Sequence, residues 1–146
     1  MDSDLKSKIE NKTAQISVIG AGYVGLPLAI AFASAGFHVC TIDNDESKVN
    51  TINSGESYIG DISSESIKYL SPQVSSGGTL TATTDYSSIA TSDCVIICVP
   101  TPVSKTKDPD VSFIINATNS ISKYVHEDML IVLESTTYPG TTEEII

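Results

Sequence analysis

The feature that most constrains this chain is a glycine triplet held in a fixed frame. Gly20-Ala21-Gly22-Tyr23-Val24-Gly25 follows the apolar run Ile16-Ser17-Val18-Ile19 and opens a segment of small apolar residues over 26–35. Asp43 closes the next apolar run, 18 residues after Gly25. A strand, a tight glycine turn, a helix and a second strand ending in a carboxylate make up the dinucleotide-binding fingerprint. Gly20 ends the strand and lets the chain turn sharply. Gly22 presents no side chain where a pyrophosphate approaches the backbone, and Gly25 lets the helix pack closely on the sheet. The helix start offers unpaired N–H groups and the positive end of its dipole to phosphate. Pro27 is tolerated within the first turn or so, and Gly36 is a natural stop.

Asp43 is placed to accept the 2′- and 3′-hydroxyl protons of an adenosine ribose. A carboxylate there repels a 2′-phosphate, and acceptance of NADP usually needs a nearby Arg. The chain contains no Arg, and Lys48 is the nearest cation, so NAD is the expected cofactor. Two plainer readings stand beside this one. A glycine cluster is also an ordinary turn, and Asp43 is also a solvated strand-end carboxylate or the N-cap of the next helix. Lys48 lies either beside the ribose or on the exposed face of that helix.

At 146 residues and 40% hydrophobic content the chain is the size of one domain with a substantial core. Its formal net charge of −10 repels nucleic acid and anionic membrane. Cofactor phosphates would therefore be held by backbone N–H groups more than by side-chain cations. Residues 1–13 are polar and charged, with no secretory apolar region. The apolar stretch over 26–37 is too short to cross a bilayer. A cytoplasmic location is the default expectation, with no nucleic-acid or membrane partner. Cys94 and Cys98 lie four apart on one strand face, about 13 Å by strand rise, too far for a disulfide and wrongly spaced for CxxC. With Cys40 they read as small core residues. His38 and His126 have no ligand-spaced neighbours, so no metal site is expected.

Apolar runs and helical patterns alternate along the chain. Strands are predicted over 14–19, 38–43, 80–83, 94–99 and 129–133. Helices are predicted over 23–35, 46–54, 64–70, 86–90, 113–125 and from 141 onward. Phe113, Ile114, Ala117, Ile121 and Val125 supply the apolar face of the fifth helix. Ser75-Ser76-Gly77-Gly78 reads as a turn, and 100–109 as a loop rich in Pro and Lys. This order predicts an α/β fold, a doubly wound parallel sheet of Rossmann type in three α/β/α layers, with strand order 3-2-1-4-5. Ligand belongs at the carboxyl edge, between the first and fourth strands. Residues 14–146 form that domain, and residues 1–13 are a short leading helix or a disordered extension. The sequence stops inside the first turns of a helix, as a truncated domain would.

Four strings together are more specific than the glycine motif. They are Val18-Ile19-Gly20-Ala21-Gly22-Tyr23-Val24-Gly25-Leu26-Pro27; Asp43-Asn44-Asp45 with Lys48; Val99-Pro100-Thr101-Pro102; and Glu134-Ser135-Thr136-Thr137-Tyr138-Pro139-Gly140-Thr141-Thr142. Through them the chain resembles the NAD-binding N-terminal domain of the nucleotide-sugar (UDP-glucose/GDP-mannose) 6-dehydrogenases, over nearly its whole length. The fourth string and Ser57-Tyr58-Ile59 look most like the branch acting on N-acetylated UDP-sugars, such as UDP-N-acetylglucosamine and UDP-N-acetylmannosamine. The resemblance implies oxidation of a sugar C6 alcohol to the carboxylate with two NAD⁺ through a thioester, and a full-length homodimer or higher assembly. Its nucleophilic Cys, Lys and Asn belong to a later part of such proteins; none of the three cysteines here matches that motif, so the fragment alone is expected to be inactive.

The resemblance also implies that Val24, Asp43, Lys48, Thr101 and Thr136 line the NAD site. Thr101 sits between prolines in a stiff loop, where its hydroxyl and backbone can face the nicotinamide. Thr136 is the one catalytic candidate, orienting a water or touching cofactor. Plainer alternatives are a loop-stiffening turn residue for Thr101 and an N-cap or turn hydroxyl for Thr136. Tyr138-Pro139-Gly140 reads first as a turn entering a helix and only second as a substrate contact. Two other functions fit the glycine fingerprint alone: a two-domain dehydrogenase of hydroxy acids or acyl thioesters, and a non-catalytic nucleotide-sensing domain.

Overall fold

The computed structural model describes residues 3–103 and 110–146. Five strands, β1 (Gln15–Ile19), β2 (His38–Ile42), β3 (Thr79–Thr83), β4 (Cys94–Ile97) and β5 (Leu130–Leu133), pair in parallel in the order β3-β2-β1-β4-β5. The helices are α1 (Ser3–Glu10), α2 (Gly25–Ser34), α3 (Glu46–Asn53), α4 (Ser64–Tyr69), α5 (Ser112–Ile121) and α6 (Thr141–Ile145), with a 3₁₀ turn at Tyr86–Thr91. Strand order reverses between β1 and β4, which puts the switch point where the sequence predicts it.

Side-chain alternation divides the core in two. Ile16, Val18, Val39, Leu80, Ala82 and Ile96 pack with Leu26, Ala29 and Ala33 of α2, Val49 and Ile52 of α3, and Ile67 of α4. Ile19, Ile42, Val95 and Ile97 pack on the other face with Ile89, Ala117 and Ile121. All four residues of β4 are buried, as in a strand covered on both sides, which is why it reads as an unbroken apolar run. Of the polar side chains inside, Ser17, Ser92, Thr41 and Thr141 are hydrogen-bonded, whereas Thr118 Oγ1 is buried without a partner among the described residues. The Ser17 and Ser92 hydroxyls share a 2.7 Å hydrogen bond, and Thr41 donates to the Thr81 carbonyl.

Two local expectations change, and one of the alternatives left open for the leading residues is the one found. Helix α5 ends at Ile121, a turn earlier than predicted, and Val125 is exposed. Ser120 and Ser122 donate their hydroxyls to the carbonyls of Asn116 and Asn119, which competes with helix continuation. Phe113 stands outside the buried stripe of Ile114, Ala117 and Ile121 and is 45% exposed. Residues 3–10 form a helix that docks: Leu5 is buried in the core and Lys8 Nζ lies 2.8 Å from Asp93 Oδ1. Of the predicted 100–109 loop, residues 104–109 lie outside the described residues.

Among the described residues Cys40, Cys94 and Cys98 are unbridged, no cluster of metal-binding side chains occurs, and no helix is long and apolar enough to cross a membrane. Gly77 and Gly78 occupy the predicted turn, yet only one of them is sterically required. A Cβ on Gly78 would lie 2.1 Å from the Ala33 carbonyl oxygen and 2.6 Å from that of Phe37, whereas one on Gly77 meets nothing within 4 Å. Urea unfolding should therefore show Gly78→Ala destabilised by about 1–3 kcal/mol, the usual range for overpacking. Gly77→Ala should stay within about 0.5 kcal/mol of the parent.

Candidate functional site

The carboxyl ends of β1, β2, β4 and β5 open onto one crevice of about 780 Å³, inside the ~300–1,000 Å³ range of ligand clefts. Its floor is apolar, with Ile19, Ile42 and Cys98. Its walls come from three loops.

The first wall is the glycine turn. Gly20 has φ +95° and donates its N–H to the Ile42 carbonyl at 2.7 Å. A Cβ there would sit 2.7 Å from the Cys98 carbonyl oxygen. A Cβ on Gly25 would sit 1.7 Å from the Gly20 carbonyl oxygen and 3.3 Å from Cys98 Cβ, so α2 begins directly upon the turn. Gly22 faces open space, with nothing within 4 Å of its Cβ position. Ala21 is fully buried between them. Its N–H donates to Asp43 Oδ2 at 2.8 Å, and its carbonyl accepts the Tyr58 hydroxyl at 2.5 Å. Val24 caps α2 without a side-chain hydrogen bond. Among the described residues, the N–H groups of Gly22, Tyr23 and Val24 meet no protein acceptor. These are orphan donors of a helix start, where the dipole is positive. Tyr23 and Val24 are exposed at the rim.

The second wall is the end of β2. Asp43 Oδ1 accepts the N–H of Asp45 at 2.9 Å, and Lys48 Nζ lies 3.8 Å from Oδ2. A carboxylate has about four acceptor sites, so these contacts leave capacity toward the crevice. Asp43 is not the cap of α3. That is Asp45, whose side chain accepts from the N–H groups of Ser47 and Lys48. Tyr86 closes this end, and burial, then the charge of Asp43, pushes its hydroxyl up and keeps it protonated.

The third wall joins the loops after β4 and β5. Ser135 donates its hydroxyl to the Val99 carbonyl at 2.7 Å, and Glu134 N–H donates to Ile97 at 2.9 Å. Val99, Pro100, Thr101 and Thr136 stand on the rim, with Phe113 of α5 beside them. Thr136 is not a helix cap, because α6 is capped by Gly140 at φ +95°. Thr141 bonds back to the Tyr138 carbonyl, so Tyr138-Pro139-Gly140 is the expected turn.

The structure thus brings Gly20, Gly22, Tyr23, Val24, Asp43, Lys48, Val99, Pro100, Thr101 and Thr136 to one crevice. Ala21 and Gly25 lie beneath it, in the scaffold. Sequence reading missed three contributors: Tyr58, Tyr86 and Phe113. The signals were slight: Tyr86 follows the β3 end, and Phe113 is one position off the buried stripe of α5.

Cys98 is the one thiol on the crevice floor. Burial, and then the charge of Glu134, pushes it up to about 11. A thiol held that high is no nucleophile at neutral pH, since the thiolate is the reactive form. Alkylation of Cys98 by iodoacetamide should be slower at pH 7.5 than that of an exposed model thiol and should accelerate steeply toward pH 11, read by peptide mass analysis.

Comparison with known proteins agrees with this geometry. Residues 14–146 match the model of the UDP-glucose/GDP-mannose dehydrogenase family, NAD binding domain. The UDP-N-acetyl-D-mannosamine dehydrogenase of Pyrococcus horikoshii is 39% identical over 131 residues, covering 90% of this chain and 30% of that protein. A solved structure of the UDP-D-ManNAc dehydrogenase from the same organism superposes with a TM-score of 0.79 at 37% identity, over 90% of this chain and 30% of that one. The GDP-mannose dehydrogenase of Pseudomonas aeruginosa, in a ternary complex, gives a TM-score of 0.79 at 32% identity, over 89% and 30%. The chain spans about 30% of the length of these relatives. The family match sets aside the hydroxy-acid and acyl-thioester alternative.

Proposed function

Because the chain belongs to the UDP-glucose/GDP-mannose dehydrogenase family, as its NAD-binding domain, we propose that it forms the coenzyme half of a UDP-sugar 6-dehydrogenase. The observation that carries this reading is the row of unpaired N–H groups at Gly22, Tyr23 and Val24, residues that line the same crevice as Asp43. NAD⁺ supplies the hydride acceptor when bound. Gly20 and Gly22 admit its diphosphate to the backbone, and the N–H groups at the start of α2 hold it. Asp43 accepts the adenosine ribose hydroxyls, with Lys48 beside it. Val99, Pro100 and Thr101 receive the nicotinamide end. Thr136 touches cofactor or orients a water. Ala21 and Gly25 serve from below, by fixing the turn.

For the whole protein we infer oxidation of the C6 alcohol of a UDP-N-acetylhexosamine to the carboxylate with two NAD⁺. The UDP-N-acetyl-D-mannosamine dehydrogenases at 37–39% identity favour the manno sugar, while the GDP-mannose relative shows how far the sugar varies on this fold. The product suits polysaccharide or cell-envelope synthesis in the cytoplasm, by a homodimer or higher assembly. Burial pushes the thiols of Cys40, Cys94 and Cys98 all upward, which supports placing the thioester-forming cysteine outside this chain.

Calorimetric titration of this chain should show one NAD site and much weaker NADP binding. Asp43→Ala should lose about 1.5–3 kcal/mol of NAD affinity, the range for a charge-assisted hydrogen bond, and narrow the gap to NADP. Asp43→Asn, which keeps an acceptor for the Ala21 N–H, should lose less. Unchanged NAD affinity in Asp43→Ala would remove the carboxylate from the site. With NAD⁺ and UDP-N-acetylmannosamine the chain should produce no NADH absorbance.

A further inference from the structure

We propose that Tyr58 is a positioning residue for the coenzyme site, locking the glycine turn from a loop remote in sequence; this rests on the NAD-binding reading above. The Ala21 peptide groups are gripped from two sides. Asp43 takes the N–H, and the Tyr58 hydroxyl donates to the carbonyl, across 37 residues of chain. Ala21 is buried and lies outside the crevice lining, so neither contact is available to a ligand. Together they fix the turn whose following residues, Gly22 to Val24, line the crevice with unpaired N–H groups.

Tyr58 is itself held. Ser57 donates its hydroxyl to the Ile59 carbonyl and accepts the Ile59 N–H, the Ser57 N–H donates to the Ser64 hydroxyl, and Ile59 is buried in the core. The segment between α3 and α4 is thus a strut with a phenol at its tip. Burial, then the charges of Asp43 and Asp45, pushes that hydroxyl well above its ordinary value. That direction keeps the phenol protonated, a donor to the Ala21 carbonyl, at neutral pH. The same phenol sits near the carboxylate proposed for the ribose, so the strut couples the two ends of the adenosine diphosphate site.

The test is Tyr58→Phe, which deletes one oxygen. NAD affinity, by calorimetry, should fall about three- to ten-fold, as loss of one neutral hydrogen bond implies. Hydrogen exchange of peptides spanning 20–25 should quicken while the β4 and α3 amides keep their protection. Ile67→Val, a core change in α4 outside the crevice lining and outside the hydrogen bonds that hold Ala21, is the control for a merely structural effect and should lower the melting temperature without shifting NAD affinity. Equal NAD affinity in Tyr58→Phe and the parent overturns the proposal and leaves the NAD reading standing. An affinity loss matched by Ile67→Val at equal melting temperature also overturns it. A parent chain that takes no NAD at all removes the coenzyme reading, and this proposal with it.

Discussion

Everything at the crevice depends on one close approach, that of Gly25 to the carbonyl of Gly20. No side chain fits between them, so α2 springs from the turn at the end of β1 with no intervening residue to spare. Gly20 is in turn pressed against the backbone of Cys98, on the neighbouring strand. The helix start, the β1 end and the β4 end are therefore welded at one point. A parallel sheet alone would leave a shallow edge at its switch point; this contact aims the unpaired end of a helix across it.

The rest of the domain supplies rigidity to that point. Both faces of β1 and β4 are packed, one by the small residues of α2 and the other by α5 and the 3₁₀ turn. Interiors packed at that density tolerate little adjustment. The outer strand β5 is only half-buried, yet its end is tied to β4 through Ser135, so the far wall of the crevice is also fixed. Asp43 has two tasks. It completes the glycine turn through Ala21 and presents remaining acceptor capacity to the crevice.

The fold was legible because its signals are local and agree with one another. Glycines, apolar runs and an acidic strand end all point to one topology, and the order β3-β2-β1-β4-β5 follows. Most of the crevice lining was legible for the same reason, since it is made of strand ends. What escaped was whatever depends on distance in sequence. Tyr58 reaches Ala21 from a loop with no periodic pattern. Phe113 appears apolar and helical, and only its angular offset from Ile114 and Ala117 separates a crevice residue from a core one. Gly78 reads as a turn residue, while its need for glycine comes from the carbonyls of Ala33 and Phe37. Helix ends misjudged at 121–125 reflect serine hydroxyls competing with the backbone, an effect composition does not reveal.

The unpaired donors at Gly22, Tyr23 and Val24 carry a consequence for robustness. Peptide nitrogens neither gain nor lose protons in ordinary buffers, and no substitution other than proline deletes them. A grip of this kind carries no titrating group of its own and survives most side-chain changes at the donor residues themselves. Its weak spots are the places where a methyl group would collide.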